Sequence, residues 1–207
     1  MRGGSQLNGA GNARGVGGGS HCGEDCWERC LDNLEAYLDE VLRTETKMAP
    51  QTNSAAGLGE RSLVIARAFD LPRDVVFRAW LDPDAVRRWW GPRGFTCPVC
   101  EIDARPGGEM KIVMRGPDGA DYPMRGVFRE IQAPARITFS NSAIDSDGIT
   151  LIEGVTTATF EERGGATVMT LQTGARAVAA GTSAMLDGME SGWTETIDRL
   201  VDFLANR

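Results

Sequence analysis

The chain has 207 residues, 42% of them apolar, with 22 basic against 29 acidic side chains and a net charge of −7. That length supports one sizeable core or two small ones, and no run of about 18 apolar residues offers a membrane-spanning helix. The first 60 residues carry 5 basic and 9 acidic groups and the remaining 147 carry 17 and 20, so neither part has the positive field that attracts nucleic acid.

Residues 1–25 are rich in glycine and lack the apolar stretch of a secretory signal; such a leader buries little and is expected to stay disordered. The five cysteines, an odd number, fit reduced thiols in a cytoplasmic protein better than a disulfide framework. Residues 26–43 read as an isolated amphipathic helix. Trp27, Leu31, Leu34, Leu38, Val41 and Leu42 line one face, and Glu28, Asp32, Glu35 and Asp39 the other. Residues 26–42 resemble the terminal helix of ArsR-type repressors, which implies pairing with a second copy in a homodimer but no DNA-reading part. Residues 44–60 read as a linker. Met48 sits at that joint, where a functional protein of its own would start if residues 1–47 were a fused tail; a dimerising helix is the alternative.

From residue 61 to 207 the texture is that of one folded domain. SLVIARAF alternates as a strand does. A helix follows, with Val76, Phe77, Trp80 and Leu81 on one side. Asp82-Pro83 interrupts it and starts a second, Asp82 as cap and Pro83 in the first turn, ending at Gly91-Pro92. FTCPVCEIDARPGG and EMKIVMRGPDGADYPMRGVFREI supply two or three strands, with Met110, Ile112 and Met114 on one face and GPDG as a turn. Gly107-Gly108 precedes a strand, unlike a phosphate cradle, and suits a bend in the sheet. ARITFSN, TLIEGVTTATFEE and ATVMTLQT continue the strands, the last two joined across Arg163-Gly164-Gly165. Strands segregated from helices predict an α+β domain with an antiparallel sheet.

The closing helix has an apolar stripe of Met185, Gly188, Met189, Gly192, Trp193, Ile197, Leu200 and Leu204. Each glycine inside a helix costs about 1 kcal/mol relative to alanine, so Gly188 and Gly192 need a reason. The expected one is close approach of the helix backbone to the sheet, with methionines and Trp193 reaching past the contact. That packing leaves a cavity, or a core that methionine fills.

Little points to catalysis. The lone histidine, His21, lies in the leader, so the folded part has no imidazole base. Asp103, Glu109, Asp121 and Glu153 are the carboxylates on or near strands, and nothing in their spacing demands a reaction. Cys97-Pro98-Val99-Cys100 precedes a strand, without the helix N-terminus that activates redox pairs of this form. It supplies half a zinc site, and Cys22, Cys26 and Cys30 are only a weak soft-metal signal. No cofactor and no metal are expected.

The strand–helix–helix start, Trp89-Trp90-Gly91-Pro92, Arg105-Pro106-Gly107-Gly108, the GPDG turn and the closing Gly188-Met189, Gly192-Trp193 and Leu200 resemble the AHSA1-like branch of the START/Bet v 1-type (SRPBCC) superfamily, over residues 62–205. The resemblance implies the helix-grip fold, a curved antiparallel sheet around a long C-terminal helix with two short helices. It also implies a hydrophobic cavity between sheet and helix. The residues expected on it are Trp89, Met110, Ile112, Met114, Tyr122, Met124, Phe139, Met185, Met189 and Trp193, with the Tyr122 hydroxyl able to orient a ligand; each would equally suit a plain core. The expected function is non-catalytic binding of a small apolar molecule. The alternatives are a protein-interaction module of the Hsp90 ATPase activator type, and an enzyme acting on a cyclic or polyketide-like substrate.

Overall fold

The computed structural model describes residues 59–207. The leader, the isolated helix, the linker up to residue 58, His21 and the Cys22, Cys26 and Cys30 cluster lie outside the described residues. The chain runs β1 (Glu60–Phe69), α1 (Arg73–Arg78), α2 (Pro83–Trp89), β2 (Thr96–Ile102), β3 (Glu109–Arg115), β4 (Asp121–Gln132), β5 (Arg136–Ile144), β6 (Thr150–Arg163), β7 (Ala166–Ala177), a 3-10 turn at Ser183–Leu186, and α3 (Met189–Ala205). The seven strands form one antiparallel sheet in the order β1-β7-β6-β5-β4-β3-β2. This is the α+β helix-grip architecture.

Local chemistry sets the element ends. The Asp82 side chain accepts from Asp84 N at 3.0 Å, and Pro83 opens α2. The GPDG turn closes with Gly119 N–H donating to Gly116 O at 2.9 Å, Gly119 having φ +81°. Gly107-Gly108 makes the tight β2–β3 turn rather than a bend within a strand: Gly107 has φ +80°, and a Cβ on Gly108 would sit 2.0 Å from Asp103 O. That turn also exchanges backbone hydrogen bonds with Phe128 of β4, 2.7 and 2.9 Å long.

The core lies between the sheet and the helices. Strand register stacks inward-facing residues into rows across the sheet. One row is Ile137, Ala158, Leu171 and Ile65; the next is Phe128, Phe139, Thr156 and Thr173. Both are buried, and the Thr156 and Thr173 hydroxyls satisfy each other at 2.8 Å. Helix α3 covers these rows with Ile197, Leu200 and Leu204. Its flank is tied to β1 by the Arg67–Asp198 ion pair, 3.0 Å.

The stripe read from the last helix needs two corrections. The helix begins at Met189, so Met185 belongs to the preceding 3-10 turn and Gly188 is the N-cap. Neither glycine marks a close approach to the sheet. A Cβ on Gly188 would have nothing within 4 Å, and one on Gly192 would meet Pro92 Cγ at an ordinary 3.8 Å.

A cleft beneath the start of the last helix

Next to the phenylalanine row the inward side chains become short. The row reads Met110, Gly126, Asn141, Gly154 and Ala175 across β3 to β7. Met110 lies over Gly126, where an added Cβ would come within 2.9 Å of its Cε. The Asn141 amide oxygen lies over Gly154, 3.2 Å from where a Cβ would be. Glycine in a strand interior here does what it does where something must approach closely: a Cβ would also meet the neighbouring strand's carbonyl, Ser140 O at 2.4 Å from Gly126 and Gly174 O at 2.5 Å from Gly154. A cleft of about 260 Å³ remains between this part of the sheet and the first turns of α3.

Its walls come from separated segments. Met114, Tyr122, Met124, Ala143 and Ile152 come from the strands, and Met185, Met189, Gly192, Trp193 and Thr196 from the last turn and helix. Trp90 and Pro92, after α2, close one side, and the Trp90 and Trp193 rings meet edge to face at 5.7 Å. The mouth is marked by Tyr122 and Met185, which are 40% and 43% exposed. The Thr196 hydroxyl is spent on Gly192 O at 2.6 Å. Asn141 Oδ1 is different. It is one of three buried side-chain polar atoms without a partner among the described residues, with Arg73 Nε and Trp80 Nε1, and the only one on a residue lining the cleft. A buried acceptor left unpaired costs about 1–3 kcal/mol, so such atoms call for a partner.

Of the residues expected on a cavity, Met114, Tyr122, Met124, Met185, Met189 and Trp193 line the cleft. Trp89, Met110, Ile112 and Phe139 do not: they are sealed in the core at 0–3% exposure. Trp89 points to α1, donating from Nε1 to Ala79 O at 3.0 Å. Ile112 and Phe139 share the inward face but lie against other large side chains. Residues not foreseen are Trp90, Pro92, Asn141, Ala143, Ile152, Thr173, Ala175, Gly192 and Thr196, among others. The available signal was the pair of glycines at alternate-strand positions 126 and 154.

None of the strand carboxylates lines the cleft. Asp103 pairs with Arg105, Asp121 with Arg115 and Glu153 with Arg176. The Arg115 hydrogen bond and charge hold the Asp121 carboxyl below its ordinary value, the wrong direction for a general acid near neutral pH. Among the described residues no helix is long and apolar enough to cross a membrane, and no group of three or more metal-ligating side chains occurs.

Gly192 sits inside α3 with room for a methyl, so we expect Gly192→Ala to raise stability by about 0.5–1 kcal/mol, the helix-propensity difference. Chemical denaturation checks this; a loss of stability would return Gly192 to a packing role.

The sequence profile of the family described as "Activator of Hsp90 ATPase homolog 1-like protein" (AHSA1) matches residues 70–205. Solved structures similar to this chain include the AHSA1 protein of Silicibacter pomeroyi, 26% identical, with TM-score 0.60 over 70% of this chain and 98% of that one. A protein of Rhizobium leguminosarum is 28% identical, with TM-score 0.58 over 73% and 98%. Another, from Chromobacterium violaceum, is 27% identical, with TM-score 0.59 over 69% and 96%. No curated protein matches the chain.

Proposed function

The chain belongs to the AHSA1-like family, and on that premise we propose that it binds a small, mostly apolar molecule in the cleft between sheet and C-terminal helix, without transforming it. The observation that carries this reading is the cleft itself: apolar walls of methionine, tryptophan and isoleucine with Asn141 among them, whose buried amide oxygen has no partner. Binding sites of this kind combine an apolar lining with few polar groups that orient the occupant. At about 260 Å³ the cleft lies just under the roughly 300–1,000 Å³ of drug-sized sites, so the occupant is compact, of the size of one or two rings. A donor on it would pair with Asn141 after a turn of the amide.

Gly192 then has its reason. A side chain there would enter the space the ligand uses, so the helix forgoes about 1 kcal/mol to keep the cleft wide.

The test uses 2-naphthol as probe, a two-ring molecule with one donor, and the Gly192→Phe variant. The full chain should bind the probe with a change in the emission of Trp90 and Trp193. At a hundred times Kd it should gain about 2.7 kcal/mol of stability. Gly192→Phe should fold with unreduced stability and lose the probe. Equal binding by both would place the probe elsewhere and refute the reading, whereas binding of an Hsp90-type chaperone with no uptake of apolar molecules would favour the interaction module. Native mass spectrometry of protein purified from its own host would identify a retained molecule.

A further inference from the structure

Cys97 and Cys100 are three residues apart on β2, a spacing that in a regular strand sends the side chains to opposite faces. The strand is not regular there. Thr96 pairs with Arg115 and Val99 with Val113, so three steps along β2 match two along β3. This is a one-residue bulge, and it holds Pro98, which has no N–H to lose from the ladder. The bulge resets the alternation. Cys100, paired with Ile112, faces the core, and Cys97 now faces the core too; the two thiols are 4% and 5% exposed. Both are free. They are neighbours on one face, as residues i and i+2 would be, and their side chains lie within hydrogen-bond reach of each other. β2 is the last strand of the sheet, and α2 packs against it.

From this geometry we propose that Cys97 and Cys100 form a peroxide-oxidisable dithiol, a redox site separate from the cleft. The two sulfurs have unequal roles. As a thiol, Cys97 donates to Val99 O at 3.3 Å. On ionising it accepts from Cys100, and that bond, with the charges of Arg87 and Arg199, holds its pKa below the ordinary thiol value against the opposing effect of burial. Cys100 is pushed up by the same bond and by burial. Arg87 is anchored beside the pair, donating to Pro98 O at 2.9 Å and to Cys100 O at 3.3 Å. The Cys97 thiolate attacks one oxygen of hydrogen peroxide and breaks the O–O bond, giving a sulfenic acid; the departing hydroxide takes a proton and leaves as water. The Cys100 sulfur then attacks the Cys97 sulfur and expels the second hydroxide, which takes the Cys100 proton. The two thiols lose two electrons to the peroxide, and a disulfide and two waters result.

The test uses the full chain with Cys22, Cys26 and Cys30 replaced by serine, so that only this pair reports. Brief exposure to hydrogen peroxide should lower the intact mass by about 2 Da, reversibly with dithiothreitol, the change lying in the peptide that contains both cysteines. In the same background Cys100→Ser should stop at a sulfenic acid on Cys97, trapped by dimedone, and Cys97→Ser should leave Cys100 unmodified under that exposure. An unchanged mass for the pair would overturn the proposal, even if a serine variant failed to fold. Equal reactivity of the two single variants would overturn the assignment of roles.

Discussion

Trp89→Ala should cost about 3–5 kcal/mol, the range for removing a large buried aromatic side chain, and this is the largest single-residue loss we expect. Trp89 is fully buried, its ring 4.9 Å from Trp80 and 5.3 Å from Trp90. Its Nε1–H donates to Ala79 O, just past the end of α1, so one side chain ties the two short helices together. Against a total stability of roughly 5–15 kcal/mol for a typical domain, such a loss leaves a weakly folded protein. A fall in melting temperature on the order of 10 °C should accompany it. Trp89→Phe keeps much of the packing and orphans the Ala79 carbonyl, so it should cost less, about 1–3 kcal/mol. Denaturant unfolding followed by far-ultraviolet circular dichroism separates these losses from the missing indole fluorescence. Near-native stability in Trp89→Ala, with ligand uptake lost, would instead move Trp89 from the core to the cleft wall.

Arg199→Met should cost about 2–3 kcal/mol and weaken ligand uptake with it. The Arg199 guanidinium, on the third turn of α3, donates to Arg88 O, Trp90 O, Gly91 O and Pro92 O at 2.8–3.3 Å. It thereby fixes the turn that delivers Trp90 and Pro92 to the cleft. Hydrogen bonds to a charged group are worth about 1.5–3 kcal/mol each when well buried. Two effects bring the sum down. The site is half-exposed, so water can replace some partners, and burial already penalises the charge, which holds the Arg199 pKa below its ordinary value. Methionine keeps the apolar stem and removes only the donors. Arg199→Lys should rescue little, since one ammonium cannot span several carbonyls as the planar fork does. Thermal melts with and without the aromatic probe give both numbers. A melting temperature within about 2 °C of the native one would mean less than about 1 kcal/mol was lost, and that the loop holds without this anchor.

The secondary elements were legible because their signals are local. Asp82-Pro83 announces the start of α2, GPDG announces the β3–β4 turn, and the alternation of Met110, Ile112 and Met114 assigns a strand face. Each depends on a few consecutive residues and on backbone preferences that hold in any fold. The bulge at Pro98 was not legible, because an extra residue shows itself only against the partner strand. The start of α3 was misplaced for a related reason: Met185 continues the helical spacing, but the chain there makes a 3-10 turn first.

The cleft shows the same division. Alternation showed that Met110, Ile112, Met114 and Met124 face inward, yet only Met114 and Met124 of these border open space. Whether an inward side chain touches a neighbour or a void depends on the volumes beside it, and those come from β4, β5 and β6, distant in the chain. Gly126 and Gly154 lower the floor, Asn141 lies in it with its amide oxygen over Gly154, and the loop held by Arg199 brings Trp90 to its side. By itself the sequence determined the order of elements, the antiparallel α+β class and the face each residue presents where a strand is regular, since these follow from periodicity and turn chemistry. Only the tertiary structure decided where that face is filled and where it is hollow, because packing volume is a sum over side chains that the chain brings together from far apart.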